Sequence, residues 1–134
     1  MKQFFLMITA LILCSASACN KGKLPASTSV MGQWRWVKSV GGIGGFTITP
    51  QSSGFTQRYQ FNDDSTFRFY RKDTVAAQGK FSIVRNIKSN PQPIDVLKTG
   101  GNGFDQSLLI RNDTLYLHDI DIADGYGSIY VRIK

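Results

Sequence analysis

His118 is the only histidine in a chain of 134 residues, and all nine acidic residues are aspartate. That inventory restricts the available chemistry. A zinc site held by protein usually draws on several His or Cys ligands, whereas here His118 would be joined only by aspartates. A Ser-His-Asp set can be drawn from Ser128, His118 and Asp119. Adjacent strand residues point to opposite faces, however, and no serine lies in the strained turn that exposes a nucleophile. Asp119, Asp121 and Asp124, ahead of Gly125, are the densest acidic cluster. Their spacing departs from the calcium loop that wants acids at positions one, three and five and a closing Glu, so a turn made by Asp and Gly is the simpler reading. The Gly41-Gly42-Ile43-Gly44-Gly45 run has no following Lys-Ser or Lys-Thr and no strand-to-helix context, so it is not a phosphate loop. No catalytic group, metal or cofactor is expected, and His118 reads as a strand residue facing solvent.

The elements that position these residues read as strands. Glu favours helices and Asp favours turns, so a chain without Glu and rich in Gly, Ser, Thr, Phe and Tyr leans to an all-β domain. Alternation marks Gln33 to Val40, with Trp34 and Trp36 on one face, and Phe55 to Phe61, with Tyr59 and Phe61 on one face. After the turn Asn62 to Ser65 comes Thr66 to Arg71, with Phe67 and Phe69 alternating with Arg68 and Tyr70. Val75 to Arg85 places Phe81 and Ile83 inward, with Gly79 expected to mark a bulge. Ile94 to Lys98, Ser107 to Ile110, Leu115 to His118 and Ser128 to Ile133 complete the set. Gly41 to Gly54 is expected to be one long loop whose Gly41–Gly45 run acts as a mobile flap at the barrel mouth, and Asn86 to Pro93 a polar loop whose prolines exclude a central strand. No window shows a helical period. Eight short strands in series predict a small antiparallel eight-stranded barrel in meander order, whose closure removes exposed edges; a two-sheet sandwich is the alternative.

The first eighteen residues form an address. Lys2 precedes an apolar run from Phe4 to Leu13, and Ala16-Ser17-Ala18 supplies small residues before Cys19, the pattern of a secretory signal. The run is shorter than the ~20 residues of a membrane-spanning helix. It resembles a bacterial lipoprotein signal, which implies that Cys19 is lipidated and becomes the new N-terminus. Residues 19–30, small and without apolar period, are expected to be a flexible tether, with the domain over 31–134. The net charge of +7 is spread along the chain without a dense block, which, with secretion, argues against a nucleic-acid partner. Basic residues near anionic head groups are attracted to them. Asn20-Lys21-Gly22-Lys23 lacks the acidic run that resembles a surface-export tag, so the expected location is the outer membrane, facing the periplasm.

Gly32-Gln33-Trp34 resembles the Gly-x-Trp signature of lipocalins. That resemblance implies that Trp34 plugs the closed end of a barrel and that Arg132, in Tyr130-Val131-Arg132-Ile133, stacks on it, with Gly32, Trp34 and Arg132 as the structural plug. The chain is similar in particular to small lipocalin-like lipoprotein domains of Bacteroidetes-type bacteria. The shared features are the glycine-rich loop ending near Thr49-Pro50, the aromatic hairpin, Asp113-Thr114-Leu115 and Asp124-Gly125-Tyr126. A shared barrel does not imply a shared function. The leading expectation is a monomeric, lipid-anchored binding module holding a small apolar ligand against Tyr59, Phe61, Phe67, Phe69 and Phe81. The alternative is a structural or interaction domain with a packed barrel and no ligand.

Overall fold

The computed structural model describes residues 28–100 and 105–134; the signal segment and Cys19 lie outside them. The elements run β1 (Gly32–Gly41), β2 (Phe46–Ile48), α1 (Pro50–Ser53), β3 (Gln57–Phe61), β4 (Thr66–Arg71), β5 (Thr74–Ile87), β6 (Ile94–Thr99), β7 (Gln106–Arg111), β8 (Thr114–Asp119) and β9 (Tyr126–Arg132). Each of β3 to β9 pairs antiparallel with its sequence neighbour, and β9 returns to pair with β1. The result is a closed eight-stranded antiparallel barrel with β2 as an extra strand on β1. The all-β barrel is therefore what forms, and the two-sheet alternative does not arise.

Closure depends on β1 having more partners than one strand normally serves. Its first half pairs with β3, its second half with β2, and almost its whole length with β9. The register against β9 slips between Trp36 and Lys38, so Val37 is an extra residue and the alternation changes phase there. Trp34 and Trp36 point inward, and after the bulge Ser39 is buried while Val40 is exposed. A second slip leaves Ala76 unpaired opposite Phe69 and Tyr70, whereas Gly79 pairs regularly with Phe67. The bulge expected at Gly79 thus lies three residues earlier. A third lies near Asn86, whose φ is +55°.

The expected loop Gly41 to Gly54 carries more structure than its glycines suggest. It holds β2 and the single turn α1, where the Thr49 side chain accepts from the Ser52 backbone N–H and the Ser52 side chain accepts from that of Thr49. This reciprocal cap satisfies donors at the helix start, and Gly54 ends the turn in the left-handed region at φ +70°. The following strand starts at Gln57, not Phe55. At the other boundary Val30, assigned by sequence to the tether, is buried in the core, so the folded unit begins before Met31.

Candidate functional site

The two ends of the barrel differ. At the closed end, where β1 begins and β9 ends, Trp34 has no exposed surface. Its Nε1 donates to the Val30 carbonyl at 2.6 Å, and the Arg132 guanidinium lies 4.1 Å above its ring. Arg132 also donates to the carbonyls of Met31 and Ser29 and pairs with Asp113 at 3.2 Å. Gly32 is part of the same assembly, because a Cβ there would stand 3.2 Å from Arg132 Nη1 on a backbone with φ +113°. Gly32, Trp34 and Arg132 are thus in one cluster that seals this end and ties the incoming chain to it.

Above the seal, the five aromatics expected as a ligand wall all face inward, and they face one another. Ring centroids are 5.2 Å apart for Tyr59–Phe61, 4.7 Å for Tyr59–Phe69, 6.3 Å for Tyr59–Phe67 and 5.0 Å for Phe61–Phe81. Phe61, Phe67 and Phe81 are buried, while Tyr59 and Phe69 are half-buried toward the open end. Tyr130 meets Tyr59 edge-on at 5.4 Å. These contacts occupy the lower and middle interior, as expected for a barrel just wide enough for its own side chains.

The mouth is polar, which the aromatic pattern did not indicate. Ser39 and Ser128 share a 2.7 Å hydrogen bond, and Trp36 Nε1 donates to Ser39 at 2.9 Å. Gln106 donates to Asp119 at 2.7 Å, and the second Asp119 oxygen accepts the Tyr126 backbone N–H at 3.0 Å. Asp119 therefore shapes the loop before β9, and among the described residues no three of His, Cys, Asp or Glu gather as a metal set. Burial, with Asp119 adding negative potential, pushes the Tyr59 hydroxyl up to about 12. Tyr130 is raised well above its ordinary value, by burial first and then by Tyr59. Over the rim, Trp36 stacks on Phe55 at 5.7 Å and the Arg71 guanidinium lies 3.9 Å over the other ring of that pair, Phe55. The inward phase of Gln57, Gln106 and Ser128 was available in the strand alternation; Ser39 was hidden by the Val37 bulge, and the Arg71 stack by the loop that brings Phe55 back.

Two grooves open on the outer wall. One groove of about 370 Å³ crosses β7, β8, β9 and β1, lined by Lys38, Val40, Leu109, Tyr116, His118 and Ile129. Two rows of cross-strand neighbours build it: Leu109, Tyr116, Ile129 and Lys38, then Ser107, His118, Gly127 and Val40. Gly127 forms its floor, and His118 faces outward at its edge, away from the inward Ser128. A second groove of about 570 Å³ lies over β1, β3 and β4 beside α1. Neither groove is lined by any of the five interior aromatics. Among the described residues no helix is long and apolar enough to cross a membrane. No protein-family profile, curated protein or solved structure matches this chain.

Proposed function

We propose that the protein is a lipid-anchored recognition module of the bacterial cell envelope whose barrel, of lipocalin-like type, engages a protein partner on its outer wall. One observation carries this reading. The interior rings pack against one another at 4.7–6.3 Å, while the grooves open outside. The groove over β7, β8, β9 and β1 exposes Val40, Leu109 and Tyr116 at 39–46% of their surface. Lys38 stands in its rows, Arg111 lies two residues beyond Leu109, and neither row holds an aspartate. The partner that fits is a protein surface apolar at its centre and acidic at its rim, so that apolar burial supplies affinity and charge guides approach. In this reading Cys19 carries the lipid in the outer membrane, facing the periplasm. The chain enters the barrel at its sealed end through Ser29 and Val30, so the anchor leads from that end and not from the mouth.

A second reading, a small apolar ligand at the mouth, is favoured by the half-buried Tyr59 and Phe69 rings. One pair of experiments separates the two. A photo-crosslinking residue at Tyr116 in the native host should capture one partner, that capture should disappear with Leu109→Asp, and the same probe at Lys88 should capture nothing. A fluorescent fatty acid titrated into the Cys19→Ser chain should not saturate. Saturable binding weakened by Phe69→Trp, with no groove-dependent crosslink, would replace the first reading by the second.

A further inference from the structure

Arg35 and Arg58 are direct cross-strand partners on the outer wall of β1 and β3. Like charges placed opposite each other weaken a sheet, and neither arginine forms an ion pair with a described carboxylate. The ion pairs among the described residues are Arg85–Asp95, Lys98–Asp105 and the pairs of Asp113 with Arg132 and Lys134. Arg58 is nevertheless held in place. Its guanidinium lies 3.8 Å over the Tyr70 ring, and its Nη1 donates to Gln33 Oε1 at 3.0 Å. Its other N–H groups and the exposed Arg35 are left for the 570 Å³ groove, whose walls include Pro50, Gln51, Tyr70 and Asp73. The reciprocal Thr49–Ser52 cap of α1 fixes the Pro50–Gln51 wall.

We infer that this groove binds a phosphate ester, gripped by Arg35 and Arg58 together. A guanidinium presents a planar fork of donors that matches phosphate oxygens, and it remains charged at any pH the envelope meets. Two such forks side by side can each take a different oxygen of one phosphate, since a diester offers two free oxygens and a monoester three. The bound anion removes the Arg35–Arg58 repulsion, so the arrangement that costs the empty sheet stabilises the occupied one. Asp73 accepts hydrogen bonds and disfavours a bare dianion, which suits a phosphate flanked by an ammonium or hydroxyl. That chemistry is offered by a phosphoethanolamine head group or by a phosphorylated amino sugar. The site lies on a different wall from the proposed docking groove and does not depend on it.

The test is calorimetric titration of the mature lipoprotein, in a phosphate-free non-ionic detergent at low salt, with glycerophosphoethanolamine, glucosamine 1-phosphate and inorganic phosphate. One ester should saturate a single site more tightly than inorganic phosphate, and which ester wins identifies the source as head group or sugar. Arg35→Gln, which removes no contact described in the fold, should weaken binding about tenfold or more, the scale of one lost charge-assisted hydrogen-bond set. Arg58→Gln should do the same, and Lys88→Gln, outside the groove, should leave binding unchanged. Absence of saturation at millimolar concentration, or equal weakening by Lys88→Gln and Arg35→Gln, would overturn the site. Either result leaves the crosslinking outcome at Tyr116 untouched.

Discussion

Arg132 joins more of the closed end than any other side chain there: the Trp34 ring, the Asp113 carboxylate and the carbonyls of Ser29 and Met31. Lysine at this position would keep the charge but lose the fork and the stacking plane. Arg132→Lys should therefore lower stability by about 1–3 kcal/mol in urea unfolding. Trp34→Ala empties a site with no exposed surface and should cost about 3–5 kcal/mol, a large share of what holds a domain of this size. A Trp34→Ala chain that melts within a few degrees of wild type would contradict the seal. Tyr59 makes a prediction of opposite pH sense to the usual acid transition. Its folded pKa of about 12 exceeds the ordinary value of 10.0, so the unfolded chain releases that proton first. The stability is complete below pH ~10 and is lost as pH rises toward ~12, by about 2–3 kcal/mol for this residue. Tyrosinate absorbance, resolved by comparing wild type with Tyr59→Phe and Tyr130→Phe, should show these two rings ionising only as the barrel opens. Ionisation of Tyr59 below pH 10 in the folded protein would rule this out.

At the scale of elements, β1 and β9 form the seam that turns a sheet into a barrel, and glycines at its upper end serve two different purposes. A Cβ on Gly41 would collide with the Gly125 carbonyl and stand 2.8 Å from the Tyr126 Cα, so the strands can approach there only without a side chain. Gly41→Ala should destabilise by about 1–3 kcal/mol, as overpacking does, with faster amide exchange concentrated in the β1–β9 pairing. A Cβ on Gly127 would meet His118 Nδ1 at 3.2 Å and the Val40 carbonyl at 3.8 Å, contacts that small adjustments of an exposed side chain relieve. Gly127→Ala should leave the melting temperature nearly unchanged while raising the floor of the outer groove and weakening the Tyr116 crosslink. Equal melting losses in both variants would remove the distinction. Strand positions were legible in the sequence because apolar alternation survives local detail: the aromatic pairs Phe61↔Phe67 and Tyr59↔Phe69 follow from it directly. The Val37 and Ala76 bulges were not legible. A single extra residue changes which face follows without changing composition, so Lys38 and Val40 face out where unbroken alternation would turn them in.

For the whole molecule, Cys19→Ser should move the protein from the membrane fraction to the soluble fraction, since stable anchoring needs more than one acyl chain or a second signal; an unchanged membrane fraction would reject the anchor. The absence of Glu, the turn-forming aspartates and the period-two aromatics were enough to determine an all-β chain of short strands with an inward aromatic face, because these are local preferences of backbone and side chain. The pairing of Trp34 with Arg132 depended on a resemblance, and its geometry on closure that brings residues nearly a hundred positions apart together. Only the tertiary structure decided how the interior rings meet one another. Whether inward rings line a space or fill it is set by barrel radius and by contacts across the lumen, neither of which is encoded in any one strand. The same holds outside: Arg35 faces Arg58, and Tyr116 stands between Leu109 and Ile129, through pairing registers between strands, and Lys38 and Val40 join those rows only once β9 closes on β1.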